Sequence, residues 1–284
     1  MSVETHPLAG VAPDPGVAKP DPILVVDGVT RSFGGLQAVD VSHLEVQRGL
    51  ITALIGPNGA GKTTFFNLLS GFDRPQGGRW SFDGTDISRR PPHSIARLGL
   101  VRTFQLTKVL AKMSVIENMM LAARGNPGER FAGSLLPPLW RTVERRTRDR
   151  ADELLDRFRL AHMREEYAGT LSGGQRKLLE MARALMVEPR MLMLDEPVAG
   201  VNPALTQSLL GHVEALRDEG LTLLFVEHDM DVVMGISDWV VCMAEGRVIA
   251  EGPPSAIGRN RAVIDAYLGS THDEPGAEPP AEAR

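Results

Sequence analysis

The sequence has few features that would place the chain in a membrane, an oxidising compartment or a nucleic-acid complex. Cys242 is the only cysteine, so no internal disulfide can form, and a reduced compartment fits. Its neighbours Val240, Val241 and Met243 favour a buried strand position over a reactive thiol. No run of about 18 apolar residues occurs, which predicts no transmembrane helix. The net charge of −5 gives no bulk attraction to nucleic acid or anionic lipid, so no nucleic-acid partner is expected.

The overall composition is that of a globular protein with a substantial core. Hydrophobic residues make up 43% and charged residues 24% of the 284 residues, which allows one large domain or two small ones. The ends differ from the rest. Residues 1–22 are rich in Pro and Gly without a signal-peptide pattern, and we expect a disordered arm there. Residues 270–284 predict a disordered acidic tail, which leaves 23–269 as the ordered domain.

A glycine loop between a strand and a helix is the strongest motif. The apolar run 50–55 leads into a match to G-x-x-x-x-G-K-[ST], and a helix-compatible run follows at 65–70. Backbone N–H groups can surround a polyphosphate where side chains do not intervene, and the helix N-terminus adds positive potential. Lys62 is expected to reach the β- and γ-phosphates and Thr63 to ligate Mg²⁺, whereas a turn that binds nothing is the alternative. The predicted nucleotide-binding residues here are Gly56, Pro57, Asn58, Gly59, Ala60, Gly61, Lys62, Thr63 and Thr64.

Short apolar runs on both sides of this loop predict an antiparallel β layer. Residues 23–26, 36–46 and 80–82 form these runs, and Asp83-Gly84 predicts a turn after the last of them. The candidate inward residues of the second run are Leu36, Ala38, Leu44 and Val46. Phe33 lies between two of the strands, where its ring could stack on a nucleotide base or pack in the core.

Residues 106–187 have a different character and predict a helical insert. Val115, Ile116, Met119 and Met120 recur at helical spacing; 125–138 indicates a loop and 143–160 a second helix. An arginine cluster near the start of that helix is typical of a solvated face, with contact to lipid headgroups or RNA as the alternative. Its members are Arg141, Arg145, Arg146, Arg148 and Arg150.

The stretch 171–175, Leu-Ser-Gly-Gly-Gln, begins another helix. Ser172 is a good N-cap, and the apolar stripe that follows contains Leu178, Met181, Ala182 and Leu185. Such a helix start is a second potential anion site, and an ordinary helix cap is the alternative.

Two short apolar runs that predict buried parallel strands end in charged residues. The run 191–194 ends at Asp195-Glu196, and 221–226 ends at Glu227-His228. An acidic pair at the end of a core strand is costly to bury without a cation or a chemical role. Asp195 can hold Mg²⁺, Glu196 can orient an attacking water, and His228 could hydrogen-bond a γ-phosphate.

In combination and in order, these motifs resemble the ATP-binding subunit of ABC transporters over residues 23–269. The resemblance implies an α/β P-loop NTPase fold with a RecA-like core, an antiparallel β layer and a helical insert. It implies an ATPase with ATP and Mg²⁺ as cofactors, Phe33 as the base-stacking aromatic and Ser172, Gly173, Gly174 and Gln175 as nucleotide contacts. The implied catalytic residues are Glu196, His228 and Gln105, and the implied metal ligands are Thr63, Gln105 and Asp195.

The resemblance also implies an assembly on the cytoplasmic face of the cell membrane. Two nucleotide domains, identical or different, would pair head to tail, with each ATP between one glycine loop and the Ser172 segment of the other domain. Two transmembrane permease subunits would be direct partners, and an extracytoplasmic solute-binding protein an indirect one.

Several stretches resemble one group within this family, the larger ATPase of branched-chain amino acid importers. They are residues 33–39, 195–203, 226–230 and 266–269. Asn202 fits that group but departs from the aspartate of many ABC ATPases. Urea and amide importers share much of the pattern. A lipopolysaccharide-type exporter is disfavoured by the Asn202 loop and the 228–230 run. A soluble ABC ATPase acting on DNA or ribosomes is disfavoured by the single glycine loop.

Overall fold

The structure, a computed structural model, describes residues 6–103, 109–123 and 137–270, except for the side chains of 137–141 and 269–270. The chain divides into two compact units. The first consists of Met1–Gln47, Thr52–Arg89 and His228–Arg284, and the second of Arg48–Ile51 and Arg90–Glu227. Residues 125–136 of the expected loop, 271–284 of the expected tail, and Gln105 lie outside the described residues.

The secondary structure consists of strands and helices mixed along the chain. The strands are β1 (Pro22–Phe33), β2 (Leu36–Gln47), β3 (Ile51–Ile55), β4 (Gly77–Phe82), β5 (Thr85–Asp86), β6 (Leu100–Arg102), β7 (Met191–Asp195), β8 (Thr222–Val226), β9 (Trp239–Ala244) and β10 (Arg247–Gly252). The helices are α1 (Lys62–Leu69), α2 (Pro92–Leu98), α3 (Val115–Ala122), α4 (Pro137–Arg157), α5 (Gly173–Leu185), α6 (Pro203–Asp218), α7 (Met230–Ile236), α8 (Pro254–Ile257) and α9 (Arg261–Ser270).

The first unit contains the predicted antiparallel layer, in the order β2-β1-β4-β5. Leu24 pairs with Phe82 and Val26 with Trp80, and all four side chains are buried, as the alternating pattern predicts. The prediction that Leu36 points inward is wrong, because this side chain is 73% exposed. It lies beyond a register shift in the β1–β2 pairing, at the outer end of the hairpin, where the described residues leave it exposed.

The same unit also holds β3, apart from Ile51, in parallel pairing with β9, which forms an antiparallel hairpin with β10. Cys242 on β9 is fully buried, and burial raises the pKa of its thiol to about 12. The thiol therefore stays protonated and acts as a small apolar core residue, as predicted.

The expectation of a disordered arm over 1–22 is wrong for residues 6–22, which pack on this unit. The Lys19 ammonium contacts the Glu251 carboxylate at 3.0 Å, and each side chain is 1% exposed. The same ammonium lies 4.7 Å from the ring centroid of Trp239, whose indole N–H donates to Glu251. Leu8 is buried as well. Composition predicted disorder because it does not reveal these partners, which lie more than 200 residues away along the chain.

The second unit is built on three parallel strands, with β7 between β6 and β8. All five residues of β7 and of β8 are buried, which explains why both sequences are continuous apolar runs rather than alternating ones. Their carboxyl ends lie side by side, since Asp195 pairs with Val226. This edge carries the charged residues of the candidate site.

Helices α2 to α6 belong to the second unit, which includes the predicted insert. On α4, Arg148 pairs with Glu144 and Arg150 with Glu153 in partly exposed ion pairs. These contacts fit the solvated-face interpretation of the arginine cluster. No helix in the described ranges is both long enough and apolar enough to span a membrane.

Candidate functional site

The glycine loop has a backbone that only glycine can adopt at two positions. Gly56 has φ of +148° and Gly61 has φ of +96°. A Cβ atom at Gly56 would lie 2.1 Å from the carbonyl oxygen of Met243, and one at Gly61 would lie 2.2 Å from that of Ala38. Both glycines are therefore required by close backbone approach as well as by conformation.

Lys62 is folded back over this loop. Its ammonium donates to the carbonyl oxygens of Gly56 at 2.6 Å and Pro57 at 3.0 Å. Helix α1 begins at the same residue, with Gly61 as N-cap and without a side-chain cap hydrogen bond. Asn58, Gly59 and Thr63 are exposed. The amide N–H groups of the first turn, the ammonium and the threonine hydroxyl form a donor set that fits a polyphosphate.

A C-terminal residue that the motif analysis did not assign also supports the loop. The Gly56 N–H donates to the hydroxyl oxygen of Tyr267 on α9 at 2.9 Å. Burial raises the pKa of Tyr267, so its phenol remains neutral. The sequence contained a weak signal for a role of Tyr267, since residues 266–269 carried part of the subgroup resemblance. It did not indicate the contact with Gly56, because the two residues are 211 positions apart.

Phe33 lies at the end of β1 with 48% of its surface exposed, which argues against the core-packing alternative. The Arg31 guanidinium stacks 4.4 Å from the ring centroid and is anchored by Asp73 at 2.8 Å. A partly exposed, cation-backed aromatic ring suits stacking on a nucleotide base.

The acidic pair of the second unit begins with Asp195, the last residue of β7. Its carboxylate accepts a hydrogen bond from the Arg102 guanidinium on β6 at 2.8 Å, and both side chains are 5% exposed. Sequence reasoning did not find Arg102. Its position next to Asp195 depends on the β6–β7 register, in which Arg102 pairs with Met193, two residues before Asp195.

Glu196 starts a turn over residues 196–199, here called the acidic turn, with a left-handed backbone of φ +48°. The Glu196 N–H donates to the Val226 carbonyl at 3.0 Å, and the Glu196 carbonyl accepts from the Lys177 ammonium at 2.9 Å. Partial burial lowers the pKa of Lys177, against attraction from Glu227, Glu180 and Glu196. Lys177, Glu180, Asp195 and Glu196 line one small cavity.

Glu227 is another carboxylate in this region, and the sequence did not single it out for a role. It is 3% exposed and accepts a hydrogen bond from the Val198 N–H at 3.0 Å, which ties the acidic turn to the end of β8. The predicted catalytic His228 is the next residue; it is exposed and belongs to the first unit.

The Ser172 segment forms a capping box at the start of α5. The Gln175 N–H donates to the Ser172 hydroxyl, and the Ser172 N–H donates to the Gln175 side-chain oxygen at 2.9 Å. Ser172 and Gly173 are exposed, so the helix start is accessible. A Cβ on Gly174 would lie 1.6 Å from a methyl carbon of Leu205. Asn202 caps α6 by accepting from the Leu205 N–H at 3.0 Å, which is a structural role for this departure from aspartate.

The structure thus brings the predicted residues together in two groups. The first unit contains Phe33, the glycine loop residues 56–64 and His228. The second contains Asp195, Glu196 and the Ser172 segment, supported by Arg102, Lys177 and Glu227.

Comparison with protein families gives two matches. The family model described as "ABC transporter" matches residues 39–199, and the one described as "Branched-chain amino acid ATP-binding cassette transporter" matches residues 247–273.

Two curated relatives are similar over nearly their whole length. A probable branched-chain amino acid transport ATP-binding protein LivG of Archaeoglobus fulgidus is 44% identical over 252 residues, covering 89% of this chain and 97% of the relative. The high-affinity branched-chain amino acid transport ATP-binding protein BraF of Pseudomonas aeruginosa is 45% identical over 250 residues, covering 87% and 98%.

Two solved structures are also similar to this chain. A nucleotide-free ATP-binding cassette from an ABC transporter has a TM-score of 0.75 at 36% identity, covering 87% of this chain and 98% of that one. An ABC-transporter cassette in its ADP conformation has a TM-score of 0.74 at 34% identity, covering 87% and 99%. With this extent of similarity, and with the glycine loop and the acidic turn in place, the chain belongs to the ABC transporter family as an ATP-binding ATPase.

Proposed function

We propose that this chain hydrolyses ATP to power the import of branched-chain amino acids. The observation that carries the proposal is the branched-chain match at residues 247–273 on the same chain as the ABC transporter match at residues 39–199. That segment includes Tyr267, whose hydroxyl accepts from the first glycine of the loop. The subgroup-specific C-terminus is therefore part of the support of the nucleotide site.

In this proposal, the glycine loop holds the ATP polyphosphate. The Lys62 ammonium, which contacts carbonyl oxygens of the loop and is the one cation of α1, reorients to the β- and γ-phosphates. Phe33 stacks on the base with Arg31 behind its ring. Ser172, Gly173, Gly174 and Gln175 contact the nucleotide of a second ATPase subunit, identical or different, paired head to tail.

Mg²⁺ is the proposed metal. The Thr63 hydroxyl and the Asp195 carboxylate are hard oxygen donors of the kind Mg²⁺ prefers, and Gln105 is the third proposed ligand. No cluster of three or more His, Cys, Asp or Glu side chains suited to a metal occurs in the described part of the chain. That fits an ion held by few protein ligands and by substrate phosphates. When bound, the ion would neutralise charge on the β- and γ-phosphates.

Glu196 is the proposed catalytic carboxylate. The Lys177 and Val226 contacts fix its peptide on both sides, so its side chain starts from a defined backbone. Its role is to orient, and accept a proton from, the water that attacks the γ-phosphate. His228 is proposed to hydrogen-bond the γ-phosphate, and Gln105 to complete the site.

The proposed direct partners are two permease subunits on the cytoplasmic face of the membrane, with the solute-binding protein as an indirect partner. A groove of about 390 Å³ in the second unit offers a surface for a permease helix. Its lining is mostly apolar and comes from α2, β6, α3 and α5, and it is called the insert groove below. The small apolar side chains of this lining are Ala96, Val101, Ala122, Ala184 and Val187. Small side chains leave room for the apolar face of a helix.

Uptake of radiolabelled leucine and urea in a strain lacking this gene tests the solute assignment. Loss of leucine uptake, restored by the wild-type chain but not by Glu196→Gln, supports the proposal. Selective loss of urea uptake would support a urea importer instead. Purification of the tagged chain with a permease pair supports transport, whereas co-purified ribosomes or nucleic acid contradict it.

A further inference from the structure

We propose that Arg102 is a positioning residue for Asp195, and that its guanidinium competes with the divalent metal for this carboxylate. The inference rests on the proposed function, because it takes Asp195 as the metal aspartate. Nothing in the motif pattern assigns a role to Arg102.

Arg102 and Asp195 are in direct contact. The guanidinium and the carboxylate meet at 2.8 Å, and each side chain is 5% exposed. The β6–β7 register places Arg102 opposite Met193, and Asp195 lies two residues further on the same face of β7. A buried carboxylate needs a partner, and Arg102 supplies the positive charge.

The Arg102 guanidinium and a divalent cation compete for the Asp195 carboxylate. Both a guanidinium and a divalent cation are attracted to the same carboxylate oxygens, and the guanidinium already donates to one of them. Its positive charge also repels a second cation at short range, and burial strengthens this repulsion. Asp195 therefore binds a metal more weakly while Arg102 stays in contact with it.

Arg102 also borders the insert groove. The same side chain lines the insert groove of about 390 Å³, together with Thr103 and Val101. The Arg102 side chain thus contacts Asp195 and also lines the insert groove. A helix that occupies the groove changes the space and the acceptors available to Arg102, and so changes its hold on Asp195. Arg102 links the proposed docking surface to the proposed metal residue by direct contact with both.

The test measures metal affinity rather than turnover. Mn²⁺ binding to the full chain, saturated with a non-hydrolysable ATP analogue, is followed by the loss of the free-ion paramagnetic resonance signal. Arg102→Gln is expected to bind Mn²⁺ roughly tenfold more tightly than wild type, because the competing charge is gone. Arg102→Lys keeps a cation and should restore most of the weaker affinity.

Arg190→Gln is the matched control. It makes the same chemical change just before the opposite end of β7, where Arg190 donates to the Leu98 carbonyl. Its Mn²⁺ affinity should equal that of wild type. A merely structural role of Arg102 predicts unchanged or weaker binding in Arg102→Gln, and either result overturns the proposal.

A measurement on the wild-type chain covers the case in which Arg102→Gln does not fold. In an NMR spectrum of the ¹⁵N-arginine-labelled chain, the side-chain signal of Arg102 is identified by its absence in Arg102→Lys. This signal should shift when Mg²⁺, without Mn²⁺, is added together with the analogue. An unmoved signal contradicts the competition. Asp195→Asn distinguishes a failure of the proposed metal role of Asp195 from a failure of the competition by Arg102. If Asp195→Asn leaves Mn²⁺ affinity unchanged, the proposed metal role of Asp195 fails. If Asp195→Asn weakens binding but Arg102→Gln does not tighten it, only the present inference fails.

Discussion

The glycine loop and the acidic turn both hold backbone conformations that ordinary residues rarely adopt, but they do so by opposite means. In the loop, Gly56 and Gly61 have no side chain, and carbonyl oxygens fill the places where Cβ atoms would lie. In the acidic turn, Glu196 keeps a full side chain at φ +48°, and contacts from other elements hold it there.

The two conformations differ in the sequence separation of the residues that determine them. The residue types of the loop follow one local motif, although Met243 and Ala38 approach Gly56 and Gly61 from outside it. The acidic turn depends on Lys177 from α5, on Val226 of β8, and on Glu227, which follows β8. One group of candidate site residues can therefore be recognised from sequence, while another depends on tertiary contacts.

Gly56→Ala should have the largest effect, because its Cβ would lie 2.1 Å from the Met243 carbonyl oxygen and backbone cannot easily move away. We expect ATP affinity to fall by roughly a hundredfold or more, as strain and displacement disrupt the loop. Fluorescent-nucleotide anisotropy measures this. Gly59→Ala is the control: it has φ of +78° but no atom within 4 Å of its Cβ position, so a much smaller loss is expected. Equal losses would show that conformation, rather than close approach, controls the loop.

Glu227→Ala should weaken the acidic turn, because Glu227 accepts a hydrogen bond from Val198 within that turn. It leaves the buried Val198 N–H without this acceptor, and we expect the free energy of unfolding to fall by about 1–3 kcal/mol. Urea denaturation measures the change. Glu227→Gln keeps a side-chain oxygen at that position and should lose less. The same loss in both variants would argue that the carboxylate charge, and not the hydrogen bond to Val198, holds the turn.

Tyr267→Phe tests whether the glycine loop is as self-contained as its motif suggests. The change removes the hydroxyl that accepts from Gly56, and a hydrogen bond of this kind contributes about 1 kcal/mol. Nucleotide affinity should fall several-fold without loss of fold, as measured by anisotropy and circular dichroism. Tyr167 is the other of the two tyrosines and is 61% exposed, so Tyr167→Phe should leave affinity unchanged. If both variants bind as wild type does, α9 does not support the loop.

Lys177→Met should give the smallest change, visible mainly in the pH dependence of stability. Burial lowers the pKa of Lys177 below 10.5 in the folded chain, so the unfolded chain binds more protons in the window just below 10.5. Wild type should therefore gain stability relative to Lys177→Met as pH rises through that window. Parallel curves would place Lys177 in a more solvated setting than the contact with Glu196 indicates.

Much of the architecture was predictable because local patterns carried it. The buried parallel strands β7 and β8 were visible as continuous apolar runs, and Ser172 was recognisable as a helix cap. Leu36 was misplaced, because a register shift between paired strands cannot be seen in one strand's alternation. The arm over 6–22 was misjudged for a similar reason, since Lys19 is buried only by virtue of Glu251 and Trp239.

The sequence by itself determined the glycine loop, the capped start of α5 and the placement of Asp195 and Glu196 at the end of a core strand. These features depend on residues within a few positions of one another, so conformational preference and hydrogen bonding are local. Only the tertiary structure decided that Arg102 contacts Asp195, that Lys177 and Glu227 hold the acidic turn, and that Tyr267 supports Gly56. Strand register and helix packing bring these partners together from distant parts of the chain, and burial makes their contacts strong.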